Sequence, residues 1–180
     1  MSRDIAGALL AFWRDAGMGK WFRGGEAFDA ECRARWLDAH FAAGRREFEA
    51  WMDDADGALA LVLLLDQIPR NVFRNSGHAF ATDSLALHHA RRAIDAGHDA
   101  RTDASLRFFF YMPFEHSEAI ADQDRAVELF TALGNTDLLG YANAHRDVIV
   151  RFGRFPHRNR ALGRDSTPEE QAWLEAGGGF

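Results

Sequence analysis

A chain of 180 residues that is 47% apolar and 27% charged has the composition of a globular protein, long enough to bury about 70% of the surface its unfolded form exposes. Its formal charge of −6 weighs against binding nucleic acid or an anionic membrane through the surface at large. Four prolines and no polar low-complexity tract give no sign of a disordered arm, so one domain over 1–180 is expected.

Helical periodicity runs through the chain and no alternating strand pattern interrupts it. Helices are expected over 3–14, 27–43, 45–52, 56–67, 83–96, 103–112, 117–133, 137–153 and 168–175. The apolar run 5–13 has the length of a signal-peptide core. Asp4 precedes it, Arg14-Asp15 follow it and no small-residue cleavage site appears, so it is read as an ordinary helix. No stretch reaches the ~18 apolar residues a membrane span needs, and a cytoplasmic protein without membrane partners is expected. Lys20 is the only lysine; the remaining cationic side chains are arginines, whose planar forks bind carboxylates in pairs of hydrogen bonds. The single cysteine, Cys32, excludes an internal disulfide. It shares a helical stripe with Phe28, Trp36, Ala39 and Ala43, the pattern of an inert core thiol.

Punctuation fits these helices. Gly44, Gly97 and Gly134 stand where left-handed C-terminal caps belong. Asp83 is placed to cap the helix that follows it, and Thr167-Pro168-Glu169-Glu170 reads as a capping box with proline at the first helical position. Short connections imply antiparallel neighbours, giving an all-α fold of about eight to nine helices packed as hairpins.

Three apolar segments run into prolines among charged residues. The run 58–65 (ALALVLLL) is apolar on every side and meets Asp66, Pro69, Arg70 and Asn71. The aromatic run 108–112 meets Pro113, Glu115, His116 and Glu118; the run 148–152 meets Arg154, Pro156, His157, Arg158 and Asn159. Because proline disfavours helical geometry in the residue before it, each helix is expected to end or bend there. Buried charge at such ends needs partners. The expected pairs are Asp66 with Arg70 and Glu115 with Arg154, while Glu118 favours the positive end of the next helix. His145 falls at the centre of the stripe Leu138, Tyr141, Ala142, Val148, Ile149 and Phe152, and Gln123 sits amid Ile120, Val127 and Phe130. Both are expected to face inward with hydrogen-bond partners.

Four blocks carry a family likeness: LDQIPRNVFR at 65–74, AFATD at 79–83, FFYMPFEHSE at 109–118 with DQ at 122–123, and RFGRFPHRNRALGRDSTPEE at 151–170. They resemble the bacterial family known as domain of unknown function 924. The resemblance covers nearly the whole chain, with Ile68 standing where an aromatic is commoner and Ser84 where proline is frequent. It implies a tetratricopeptide-repeat-like, superhelical, all-helical fold and no established activity.

Function is therefore read from the residues. A set of ligand-binding candidates comprises Asp66, Arg70, Asn71, Glu115, His116, Glu118, His145, Arg154, His157, Arg158 and Asn159. Five arginines between 151 and 164, with no acidic residue among them, suit a small anion or a peptide carboxylate. An alternative is an internal polar network in a protein-interaction module. A third reading is an acid–base or metal-assisted hydrolase, with Glu115 or His116 as base. No metal is expected, since the histidine spacing matches no metal motif; Ser117 beside His116 is not a nucleophile elbow, and no phosphate loop is present. Catalytic residues, cofactor and oligomeric state stay unassigned.

Overall fold

The computed structural model describes residues 2–180, with side chains from residue 4 onward, and among these it contains helices and no strand. The chain divides into two compact units, one of residues 1–74 and 78–113, the other of residues 75–77 and 114–180.

The first unit is organised around α3 (Ala55–Val72). Every residue from Gly57 to Pro69 is buried, as an all-round apolar sequence requires. Against it pack α1 (Ser2–Arg23), α2 (Gly25–Gly44), α4 (Asp83–Asp95) and the single turn α5 (His98–Arg101). The Asp54 carboxylate caps α3 by accepting from the Gly57 amide at 2.8 Å. α1 is longer than its periodicity predicts and bends at Gly17 (φ 64°, ψ 177°), a conformation glycine adopts without penalty. Past the bend, Trp21 donates its indole N–H to the Trp13 carbonyl at 2.7 Å and packs edge-on to Phe109. Cys32 is fully buried, and burial pushes its thiol up to about 12, consistent with a core residue.

No proline ends a helix in the expected way. α3 continues through Pro69 for three more residues. The helix survives because the carbonyl that Pro69 cannot satisfy, that of Leu65, accepts instead from the Thr82 hydroxyl at 2.5 Å. Pro113 lies in the first turn of α6 (Met112–Glu115), Pro156 opens a 3₁₀ turn over Pro156–Arg158, and Pro168 opens α9 (Pro168–Glu175). The segment expected as a helix over 103–112 is a 3₁₀ turn at Arg107–Phe110, and 45–52 is a turn followed by a 3₁₀ segment at Glu49–Asp53. Gly97 and Gly134 are left-handed as expected; after α2 the left-handed residue is Arg46 rather than Gly44.

In the second unit α7 (Ile120–Leu133) and α8 (Thr136–Phe152) pack together across a two-residue link, and α9 packs on the 3₁₀ turn at Pro156–Arg158. Asn135 caps α8, accepting from the amides of Asp137 and Leu138 at 3.1 Å each. α8 stops at Gly153 (φ 70°), three residues before Pro156, so a left-handed glycine sets its end. The capping box at Thr167 and Glu170 is formed.

Candidate functional site

The structure distributes the sequence candidates between the two units. Asp66, Arg70 and Asn71 lie on the last turns of α3 in the first unit. Asp66 is fully buried; its Oδ2 accepts from Gln67 Nε2 at 2.6 Å, and Arg70 Nη1 stands 3.4 Å from its Oδ1. Arg70 also donates both Nη groups to Asp83, at 2.8 and 3.0 Å, and Nη1 to the Asp66 carbonyl at 2.6 Å. Asp83 is thus a partner of Arg70, and as the first residue of α4 it follows the N-cap position, which Thr82 occupies. Asn71 donates to the Gln67 carbonyl at 3.0 Å.

The other eight candidates lie in the second unit, where Arg154, Arg158 and Arg164 have distinct partners. Arg154 forks onto Glu170 at 2.6 and 2.8 Å, not onto Glu115. That fork, with the Thr167 amide and Asn159, holds the Glu170 carboxyl down at about 2. Arg164 forks onto Glu118 at 2.8 and 2.9 Å and donates to the Phe155 carbonyl at 3.1 Å, while the Phe155 amide donates to Glu118 at 2.8 Å. Burial opposes the Glu118 charge, but these donors outweigh it and lower its pKa. Glu118 and Arg164 therefore clamp both backbone groups of Phe155, a stronger constraint than the expected helix-end attraction. Arg158 lies across the Phe155 ring, 4.4 Å from its centroid.

Glu115 is paired with His145: Oε1 stands 2.8 Å from Nδ1, with both residues buried. Nδ1 is also 2.9 Å from the Tyr141 carbonyl. Both neighbours are acceptors, so Nδ1 carries a proton, and Nε2 has no hydrogen-bond partner among the described residues. His145 and Gln123 face inward as expected, whereas Tyr141 is 58% exposed. Gln123 Nε2 donates to the carbonyls of Glu115 and Ser117 at 2.7 and 2.6 Å, fixing the turn that presents Glu115.

Around this pair the rings form one connected cluster. His116 is 6.3 Å from His145, Phe155 is 5.6 Å from it, and His157 is 5.5 Å from Phe155. Burial, reinforced by Arg158 and His145, drives the His157 pKa to about 4, so its ring is neutral at physiological pH. His157 Nδ1 and Asn159 Oδ1 are buried without a hydrogen-bond partner among the described residues. Among those residues no three His, Cys, Asp or Glu side chains form a set able to hold a metal ion.

One participant escaped the sequence reading. Phe180 stacks face to face on His145, with centroids 3.6 Å apart and planes at 13°, and lies 5.7 Å from His157. Its signal was the Gly177-Gly178-Gly179 run before it, which has no helical role and marks a special backbone path.

Comparison with known proteins agrees with this fold. The profile of a family described as bacterial protein of unknown function, DUF924, matches residues 9–178. The solved structure of a protein of unknown function from Agrobacterium tumefaciens is similar at 49% identity, covering 98% of this chain and 99% of that one with a TM-score of 0.95. No curated protein matches the chain.

Proposed function

The chain belongs to the bacterial DUF924 family, whose function is unknown, and from its own residues we propose that it is a ligand-binding domain with a pocket for a small anionic or peptidic ligand in the second unit, centred on His145. The observation that carries this reading is the oriented Glu115–His145 pair. A buried carboxylate holds the imidazole by Nδ1, leaving Nε2 to accept from a ligand when neutral or to donate to one when protonated. His116 lies beside it, His157 and Arg158 flank Phe155 next to it, and the buried His157 Nδ1 is a polar atom that a ligand would satisfy.

Arg154 and Glu118 act as framework in this reading, because Arg154 is forked onto Glu170 and Glu118 receives the fork of Arg164. Asp66, Arg70 and Asn71 likewise brace the end of α3. A second reading, general-base catalysis by His145, is favoured by one observation: a carboxylate-oriented imidazole with an unengaged Nε2 is the arrangement that activates a hydroxyl or water.

The test is a histidine-detected NMR titration of the full chain with acetate, inorganic phosphate and short peptides. Binding is expected to shift the His145 and His157 ring resonances, and His145→Gln is expected to weaken it by about tenfold, the equivalent of about 1.4 kcal/mol. Probes that move neither ring would remove the ligand-binding reading.

A further inference from the structure

The second unit already holds an occupant of its own pocket. α9 is followed by Gly177-Gly178-Gly179-Phe180, and this short strap is built rather than loose. The Gly177 amide donates to the Leu174 carbonyl and the Gly178 amide to the Trp173 carbonyl, both at 3.0 Å. Gly177 and Gly179 have φ of 88° and 138°, conformations that side-chain-bearing residues rarely adopt. A Cβ on Gly178 would come within 2.3 to 2.6 Å of the Trp173 indole, so the backbone lies flat on that ring and only glycine fits. The outcome is to deliver Phe180 onto the face of His145.

Phe180 is at once seated and removable. Its ring stacks on an imidazole that Glu115 fixes from below, yet Phe180 as a residue remains 55% exposed. It also forms one wall of a groove of about 350 Å³ along α8 and α9, lined by Ala144, Val148, Phe152 and Trp173, by the charged Asp147 and Arg151, and by the strap itself. The imidazole face thus accepts a flat aromatic ring, and the Trp173 indole beside it accepts a glycine backbone.

We propose that the His145 face is a subsite for an aromatic side chain of an extended peptide whose neighbouring residues are small, and that the 177–180 strap is its intramolecular stand-in, which the peptide must displace. The proposal rests on the pocket reading above and names its ligand class. Phenylalanine on a glycine backbone is the chemistry the structure shows to fit. A peptide supplies it with the same backbone run that the strap lays on Trp173, and a free aromatic acid does not. Self-occupancy also lowers apparent affinity by the fraction of time the strap is closed.

The full chain with labelled histidines tests this, using acetyl-Gly-Gly-Phe-amide as probe and acetyl-Gly-Gly-Ala-amide, 3-phenylpropionate and acetate as comparisons. Removing the ring by Phe180→Ala is expected to move the His145 ring protons downfield, because they leave the shielding face of an aromatic ring. Gly178→Val, which leaves Phe180 intact but clashes with Trp173, is expected to produce the same shift. The phenylalanine peptide is then expected to bind Phe180→Ala tighter than the unmodified chain, by about fivefold, because self-occupancy no longer competes with it, with the alanine peptide and 3-phenylpropionate far weaker. The proposal is overturned if either variant leaves the His145 resonances in place. Equal binding of the peptide to both chains, binding to neither, or binding no tighter than 3-phenylpropionate overturns it as well. Acetate shifting His145 while the phenylalanine peptide does not would sink the aromatic subsite and spare the wider pocket; silence from every probe would sink both.

Discussion

At the scale of single residues, the end of α3 shows how a side chain from elsewhere in the chain rescues a backbone defect. Pro69 has no N–H to give the Leu65 carbonyl, which sits in a fully buried turn, and the Thr82 hydroxyl supplies the missing donor. Thr82→Val keeps the shape and removes the donor. It is expected to destabilise the fold by about 1–3 kcal/mol, the cost of a buried polar group left unpaired, while Thr82→Ser is expected to be nearly neutral. Chemical denaturation midpoints of the two variants decide this; equal midpoints would mean that Leu65 needs no donor. The same scale explains the limits of the arginine reading. Five arginines without an acid among them look like an anion site in sequence, but Arg154 reaches Glu170 and Arg164 reaches Glu118. Those partners are 16 and 46 residues away, a separation that composition does not reveal.

Among elements, α3 is the most legible and also the most constrained. Its all-round apolar run predicted a central buried helix, and its cap is a local signal at Asp54 and Gly57. Gly57 is fixed for a second reason: a Cβ there would approach the Trp51 carbonyl oxygen to 2.4 Å, against backbone that cannot swing away. Gly57→Ala is therefore expected to cost about 1–3 kcal/mol, as overpacking does, although alanine is the better helix former. A melting temperature unchanged or raised would refute that. Periodicity located α2, α4, α7 and α8 because each buries one face, and the capping box located α9. It failed over 103–112, where three consecutive phenylalanines are all buried by a 3₁₀ turn and no period exists to read. Proline rules misplaced helix ends for a related reason: proline is tolerated in a first turn, and in a helix interior when its orphaned carbonyl is met. Of the candidate site, the inward placement of His145 and Gln123 was legible from their helical stripes. The site's pairings and its aromatic cover depend on contacts that no local pattern encodes.

For the molecule as a whole, acid stability follows from two oppositely built groups. His157 is held neutral, its pKa lowered from 6.5 to about 4, chiefly by burial. A group whose folded pKa is depressed stabilises above its unfolded pKa and loses that contribution as pH falls, so His157 should erode stability between pH 6.5 and about 4. Glu170, lowered from 4.5 to about 2 mainly by Arg154, adds a second loss between pH 4.5 and about 2. Denaturation midpoints followed across pH are expected to fall in two stages. His157→Asn should make the first shallower without abolishing it, because burial also lowers His89 to about 4 and lowers His40, and should leave the second; a first stage of unchanged depth in this variant would assign it to those other histidines. Among the described residues no helix is long and apolar enough to cross a membrane.

The Thr82 hydroxyl on the Leu65 carbonyl has a consequence for recombination. Pro69 and Thr82 are 13 positions apart, on opposite sides of the turn that follows α3. A chimera that took α3 from this chain and the next segment from a protein lacking a hydroxyl at position 82 would inherit the defect without its remedy. Crossovers between related helical domains should therefore be viable upstream of α3 or beyond Thr82, and should fail most often between them, although no surface property marks that interval as special.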